Sequence, residues 1–204
     1  MARSWSDIMH TVGRFLRTPH EIGAIAPSSK FLSRRMMNGL DLQHAKVVVE
    51  LGAGTGAITT ELLDRVSHGT RVVIIESNSD SIALLKKRLP ASQDIAVVLG
   101  DAEKLDQILG RLNIASVDAI VSSLPYASLG PSKTNSILAA ATAVLSPHGH
   151  FVAFQYTPLL RKKLEKYFDI ITSEVELRNF PPAVVYLCHP KRRHEQRLDL
   201  EKSA

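Results

Sequence analysis

The stretch IVSSLPYASL, from Ile120 to Leu129, ends an apolar run in two serines and then sets Leu-Pro-Tyr. Proline restricts the residue before it to an extended conformation, so the Leu124 carbonyl and the Tyr126 ring leave the strand in fixed directions. An aromatic face beside small polar groups suits a cationic nitrogen, which the negative face of the ring attracts. A Pro-Tyr turn packed on the core is the plainer reading of the same residues.

A second stretch, VVELGAGTGAIT from Val48 to Thr59, has three glycines at alternate positions. Gly52, Gly54 and Gly56 allow a tight turn and close approach of the backbone to a ligand. The helix that follows offers free N–H groups and a partial positive charge to a carboxylate. The spacing is G-x-G-x-G, which differs from the G-x-G-x-x-G of dinucleotide sites. Glu50, just before the turn, is an acid suited to a cationic amino group. Two further acids, Glu76 and Asp101, close the next two apolar runs. Any one of them is as readily a helix N-cap or a solvated strand end; three at successive strand ends point to a ligand crevice.

The elements that must position these residues are legible as alternation. Lys46 to Leu51, Arg71 to Glu76, Asp94 to Gly100, Val117 to Ser123 and His150 to Tyr156 are apolar, Val/Ile-rich runs that suit parallel strands covered on both faces. Helical stripes lie between them: Gly56 to Val66, a segment capped by Asn78 or Ser79 and closed by Pro90, Pro131 to Leu145, and one opened by Thr157 and Pro158. Ser28 or Ser29 caps an earlier helix that Asn38-Gly39 ends. Ile170 to Arg178 and Ala183 to His189 are joined only by NFPP, too short for a crossover, so they form an antiparallel pair. The fold class is therefore α/β, a doubly wound sheet of five parallel strands with a C-terminal antiparallel hairpin.

The 204 residues suit one domain with a full core. No apolar run reaches the roughly 18 residues of a transmembrane helix, and the charged N-terminus is not a secretory signal. Cys188 is alone, so no disulfide framework or Cys-based zinc site is predicted, and a buried thiol is expected. The net charge of +5 favours anionic partners, nucleic acid or an acidic membrane surface. His148 and His150 form a weak His-x-His signal, and no metal is expected.

Five parallel strands with a terminal hairpin resemble the fold of class I S-adenosylmethionine-dependent methyltransferases, and VVELGAGTGAIT resembles their motif I. The resemblance implies S-adenosylmethionine as cofactor, held by Glu50, Gly52, Ala53, Gly54, Glu76, Ser77, Asp101, Ala102 and Ser122. Glu50 would meet its amino group, Glu76 both ribose hydroxyls, and Asp101 with the Ala102 backbone the adenine. SSLPY resembles the [Asn/Asp/Ser]-x-Pro-[Tyr/Phe] motif of amino-group methyltransferases. That likeness makes Tyr126 the catalytic residue, with Ser123, Leu124 and Pro125 lining a niche for the target nitrogen.

Residues 1–18 bear on whose nitrogen it is. Trp5, Ile8, Met9, Val12, Phe15 and Leu16 share one helical face, and Arg3, Asp7, His10, Arg14 and Arg17 lie on the polar side. The pattern fits an amphipathic helix in a membrane interface, or one docked on its own domain. GAIAPSS, SLPY and RNFPPA, with the motif above, make the chain from about Phe15 to Cys188 resemble the bacterial phospholipid N-methyltransferases; residues 19–190 are then the methyltransferase domain and 191–204 a polar tail. This implies conversion of phosphatidylethanolamine, and its mono- and dimethyl forms, to phosphatidylcholine. It further implies a cytoplasmic enzyme, peripheral on the inner face of the membrane, with anionic phospholipid as a partner. Arg178 is the first choice to bind the lipid phosphate, ahead of Arg34 and Arg35; Phe180, Pro181 and Pro182 are a lid, an acyl-chain wall or a plain turn. The rival is an adenine N6-methyltransferase of ribosomal RNA or DNA, but Ser123 stands where adenine enzymes of DNA usually have Asn or Asp. No nucleic acid partner is expected. A catalytically dead cofactor- or membrane-binding module is the remaining alternative.

Overall fold

A computed structural model describes residues 29–90 and 93–191. The segment read as an interfacial helix, and all of the polar tail but Lys191, lie outside the described residues. In chain order the elements are α1 (Lys30–Met37), β1 (Val47–Leu51), α2 (Ala57–Leu63), β2 (Arg71–Glu76), α3 (Ser79–Lys86), β3 (Ile95–Leu99), α4 (Leu105–Arg111), β4 (Val117–Ser122), α5 (Pro131–Val144), β5 (Leu145–Gln155), α6 (Arg161–Tyr167), β6 (Phe168–Glu176) and β7 (Ala183–Pro190). Short 3₁₀ turns, Ala102–Lys104 and Pro158–Leu160, precede α4 and α6.

The sheet order is β3-β2-β1-β4-β5-β7-β6. The first five strands are parallel; β7 runs antiparallel to both β5 and β6. Chain progression reverses direction between β1 and β4, so the ligand crevice of such a sheet falls at their carboxyl ends. Leu51 of β1 pairs with Ser122 of β4, which brings the glycine turn and SLPY side by side.

Helices cover both faces. Leu32, Met36, Ile58, Leu62 and Leu85 pack α1, α2 and α3 on one side with Val48, Val72 and Val121. Leu105, Ile108, Ile137, Leu138, Ala141 and Leu164 pack α4, α5 and α6 on the other with Val49, Leu51 and Ile120. Alternate residues of β1 therefore enter opposite cores, as the two-residue period of a strand requires.

Two elements depart from the sequence reading. β5 begins at Leu145 and not at His150: Leu145 pairs with Val117, then His150 with Ala119, so Ser146 to Gly149 form an irregularity within one strand. The second is α4, which has seven residues and contains Gly110, too short and interrupted for a helical stripe to stand out.

Candidate active site

Neighbouring loops at the carboxyl edge are tied together by backbone. The Gly52 N–H donates to the Ile75 carbonyl at 2.9 Å, and the Ser123 N–H to the Leu51 carbonyl at 2.9 Å. Gly52 has φ +78°, and a Cβ on it would meet Leu124 Cδ2 at 2.9 Å. Glycine lets the loop after β1 close against the loop after β4.

Glu76 is fixed by two backbone donors. The Gly54 N–H reaches Oε2 and the Asn78 N–H reaches Oε1, both at 2.9 Å. Each oxygen keeps acceptor capacity for a further hydroxyl. Ala53 is buried beneath this turn, and Ser77 is exposed directly after Glu76.

Glu50 is fully buried on the α1–α3 side of β1, and neither carboxylate oxygen has a hydrogen-bond partner. Burial pushes its acid up to about 7. The Thr59 hydroxyl eases that shift without a well-formed hydrogen bond, and the Glu76 charge adds to it. A buried carboxylate with two orphan oxygens fits a cation brought by a ligand. With the glycine turn and Glu76, it makes a set that fits the amino acid and ribose parts of the expected donor.

Asp101 is placed differently from its expected role. Oδ1 accepts the Glu103 N–H at 3.1 Å, and Oδ2 meets Lys133 Nζ at 2.5 Å. Burial alone would raise its acid; Lys133 and the Glu103 N–H outweigh that and hold it low. The side chain is thus the N-cap of the 3₁₀ turn and one half of an ion pair, while Ala102 beside it is buried. An adenine amine would have to share Oδ2 with Lys133, a residue for which the sequence carries no signal.

The SLPY segment corrects the sequence reading most. Tyr126 is 1% exposed and sits in the core cluster of the α4–α6 side, its hydroxyl 2.8 Å from Ser122 Oγ. The ring does not present a face to an acceptor, because the chain turns back at Pro125 and carries the side chain inward. Here the Tyr126 N–H donates to the Leu124 carbonyl at 2.9 Å. The same carbonyl accepts Gln155 Nε2 at 2.9 Å, so Leu124 is not a free acceptor for an amine either. Pro125 is exposed, and Ser123 Oγ is buried with no partner. Ser123 is the polar group of this motif that remains unsatisfied. Ser122 serves the tyrosine.

Arg178 is also engaged. Its Nε and Nη2 meet Glu176 Oε1 and Oε2 at 2.9 and 3.1 Å, and its guanidinium lies 4.2 Å above the centre of the Phe31 ring. Arg35 pairs with Glu176 at 3.2 Å and with Glu174, and Arg34 lies 3.7 Å from Glu61. A lipid phosphate would compete with Glu176 for Arg178. The Phe180–Pro181 peptide is cis and Phe180 is exposed.

Two polar residues that the motifs do not mark hold this half of the edge. Gln155 joins β5 to SLPY. Asn179 accepts the Ser29 N–H at 3.1 Å and donates to the Pro181 carbonyl at 2.8 Å. A glutamine closing an apolar strand, and an asparagine inside RNFPP, are the available signals. His150, midway along β5, packs against His189 with ring centres 4.2 Å apart. Among the described residues no group of three or more His, Cys, Asp or Glu could hold a metal ion, and no helix is long and apolar enough to cross a membrane.

Comparisons with known proteins bear on this edge. The methyltransferase domain family matches residues 48–149, from β1 into β5. The ornithine lipid N-methyltransferase of Singulisphaera acidiphila is 36% identical over 183 residues, 89% of this chain and 95% of that protein. The ribosomal RNA small subunit methyltransferase A of Thermotoga neapolitana is 27% identical over 126 residues; the match covers 62% of this chain and 44% of that protein. Among solved structures, the Burkholderia thailandensis 1,6-didemethyltoxoflavin-N1-methyltransferase with bound S-adenosylhomocysteine superposes with a TM-score of 0.63. It is 20% identical, over 92% of this chain and 87% of that one, and shares the fold.

Proposed function

Because the chain belongs to the S-adenosylmethionine-dependent methyltransferase domain family, we propose that it methylates the amine of a membrane lipid headgroup. The likeness along almost the whole chain to a lipid N-methyltransferase carries this reading. Phosphatidylethanolamine, with its mono- and dimethyl forms, is the acceptor that the sequence motifs favour and would yield phosphatidylcholine. An ornithine headgroup presents the same kind of amine and is favoured by the relative's name.

S-adenosylmethionine supplies a methyl group on a sulfonium. The chain's own residues have three tasks around it. Glu50 takes the ligand's ammonium on its two orphan oxygens. Gly52 and Gly54 let the backbone approach, and Glu76 offers its remaining lone pairs to the ribose. Ser123 Oγ, unpartnered beside the Gly52 loop, accepts a hydrogen bond from the acceptor amine. Tyr126 acts as a positioning residue: it anchors Ser122 and so fixes where Ser123 lies. The target ammonium must lose a proton to react, and transfer into a partly dry niche favours that loss. Residues 1–18, read as an interfacial helix, bring the enzyme to its acceptors in this proposal.

The second reading is a ribosomal RNA acceptor, supported by the partial likeness to the RNA enzyme. One experiment separates the acceptors. Purified protein is incubated with methyl-labelled S-adenosylmethionine and, separately, phosphatidylethanolamine vesicles, ornithine-lipid vesicles or ribosomal RNA. Label in a lipid fraction identifies the acceptor; label in RNA alone overturns the proposal.

A further inference from the structure

Several large apolar side chains of the described residues stand in solvent at one edge of the sheet. Leu177 is 75% exposed, Phe180 71%, Leu159 74% and Phe31 42%. Topology gathers them. β5 ends at Gln155 and β6 at Glu176; Val184 of β7 pairs with Gln155, and Ala183 with Glu176. The 158–160 turn and the 177–182 turn therefore leave the sheet at the same carboxyl edge. Phe31 joins them because the Ser29 N–H is bonded to Asn179 and because Arg178 lies over its ring. That edge also carries the glycine turn and SLPY; Gln155, at the end of β5, holds the Leu124 carbonyl. β7 lies two strands, roughly 10 Å, from β4.

Cations rim the patch. Arg34 and Arg178, paired with Glu61 and Glu176, keep side chains 59% and 58% exposed, and Arg161, two residues after Leu159 and paired with Glu165, stands at 55%. Apolar tips ringed by long cationic side chains match a bilayer surface, where the tips enter the acyl boundary and the cations meet anionic headgroups. The described chain begins at Ser29, whose N–H is bonded to Asn179 on this edge.

We propose that the β6–β7 turn, with Phe31 and Leu159, is a second membrane-contact surface that seats the catalytic edge on an anionic phospholipid bilayer. This takes its purpose from the lipid-acceptor reading, but its test needs no catalysis.

The full chain and a Leu177→Glu, Phe180→Glu variant are floated with phosphatidylcholine vesicles with and without phosphatidylglycerol. Burial of these two side chains corresponds to at least about a tenfold difference in partition. The variant should lose that much on the anionic vesicles while binding S-adenosylhomocysteine like the parent. In a Trp5→Phe, Phe180→Trp protein, emission should shift to the blue on those vesicles. Unchanged partition together with unshifted emission overturns the proposal. So does a melting temperature lowered by several degrees with partition intact, which would mean that the chain's own leading segment covers the patch. Loss of a dimer in the variant, with partition intact, would assign the patch to a second copy and overturn it too. If no lipid accepts label yet partition depends on the two positions, the acceptor reading fails and the surface stands.

Discussion

Glu50, raised by burial to about 7, changes charge close to neutral pH, whereas an ordinary glutamate does so at 4.5. Between these values the folded protein holds a proton that the unfolded chain has released, so stability falls as pH rises through that window. Glu50→Gln removes the slope: the variant should be more stable than the parent above pH 7, by roughly 3 kcal/mol at most, and should match it near pH 4. Denaturant unfolding at several pH values measures this. The same variant should bind S-adenosylhomocysteine more weakly, since the carboxamide carries no charge and one of its two sites becomes a donor. At Tyr126 the informative change is Tyr126→Phe. It leaves Ser122 Oγ buried without its partner and should cost about 1–3 kcal/mol, with the ring and its packing kept. Tyr126→Ala opens a core cavity and should cost about 3–5 kcal/mol, so its activity mostly reports folding. The motif gave away where Tyr126 lies in the chain but not which way its ring turns. Pro125 fixes the backbone of Leu124; the direction of the next side chain is decided by core space beside Ser122. The engagement of Asp101 with Lys133 is likewise long-range, and no local pattern announces it.

At the scale of elements, the β6–β7 turn is held by a buried carboxylate between two arginines. The Arg178 guanidinium foremost, then its backbone N–H and Arg35, hold Glu176 down at about 2 against the opposing effect of burial. A depressed acid stabilises the fold at pH values above its unfolded pKa, and that contribution is lost as pH falls through the folded value. For Glu176 the window runs from 4.5 down to about 2. Glu176→Gln should therefore flatten the acid limb of stability in that window and lower the melting temperature at neutral pH by a few degrees; thermal melts across pH 2 to 7 check both. The strands were legible because each is a Val/Ile run with turn residues at its ends, and the antiparallel pair because NFPP is too short for any crossover. β5 was read too short because Ser146-Pro147-His148-Gly149 has the composition of a turn, although Leu145 pairs with Val117 before it. Local composition marks where a chain can bend, while pairing with a neighbour decides whether it remains in the sheet.

For the molecule as a whole, ligand binding and the charge of one buried acid are linked. A ligand that binds only the folded state raises stability by about 2.7 kcal/mol at a hundredfold excess over its dissociation constant. For a domain of this size that corresponds to a rise in melting temperature of roughly 5–10 °C. S-adenosylhomocysteine is a free amino acid whose α-ammonium, beside its own carboxylate, keeps its proton to a higher pH than the roughly 7.7–8.0 of a peptide N-terminus. Glu50 offers charge only above about 7. Ionised carboxylate and protonated amine therefore coexist from about pH 7 up to the alkaline pH at which the ligand's ammonium titrates. At fixed ligand concentration the thermal shift should rise through about pH 7, hold above it, and fall only in more alkaline solution. It should shrink toward pH 5.5, where binding requires Glu50 to release a proton, and again only where the ligand's ammonium has itself been deprotonated. In Glu50→Gln the acid limb should disappear and the alkaline limb persist, because the latter belongs to the ligand. A scan in which parent and variant give superimposable curves would place the ammonium away from Glu50, and the orphan oxygens on β1 would then have to be satisfied by something other than the donor.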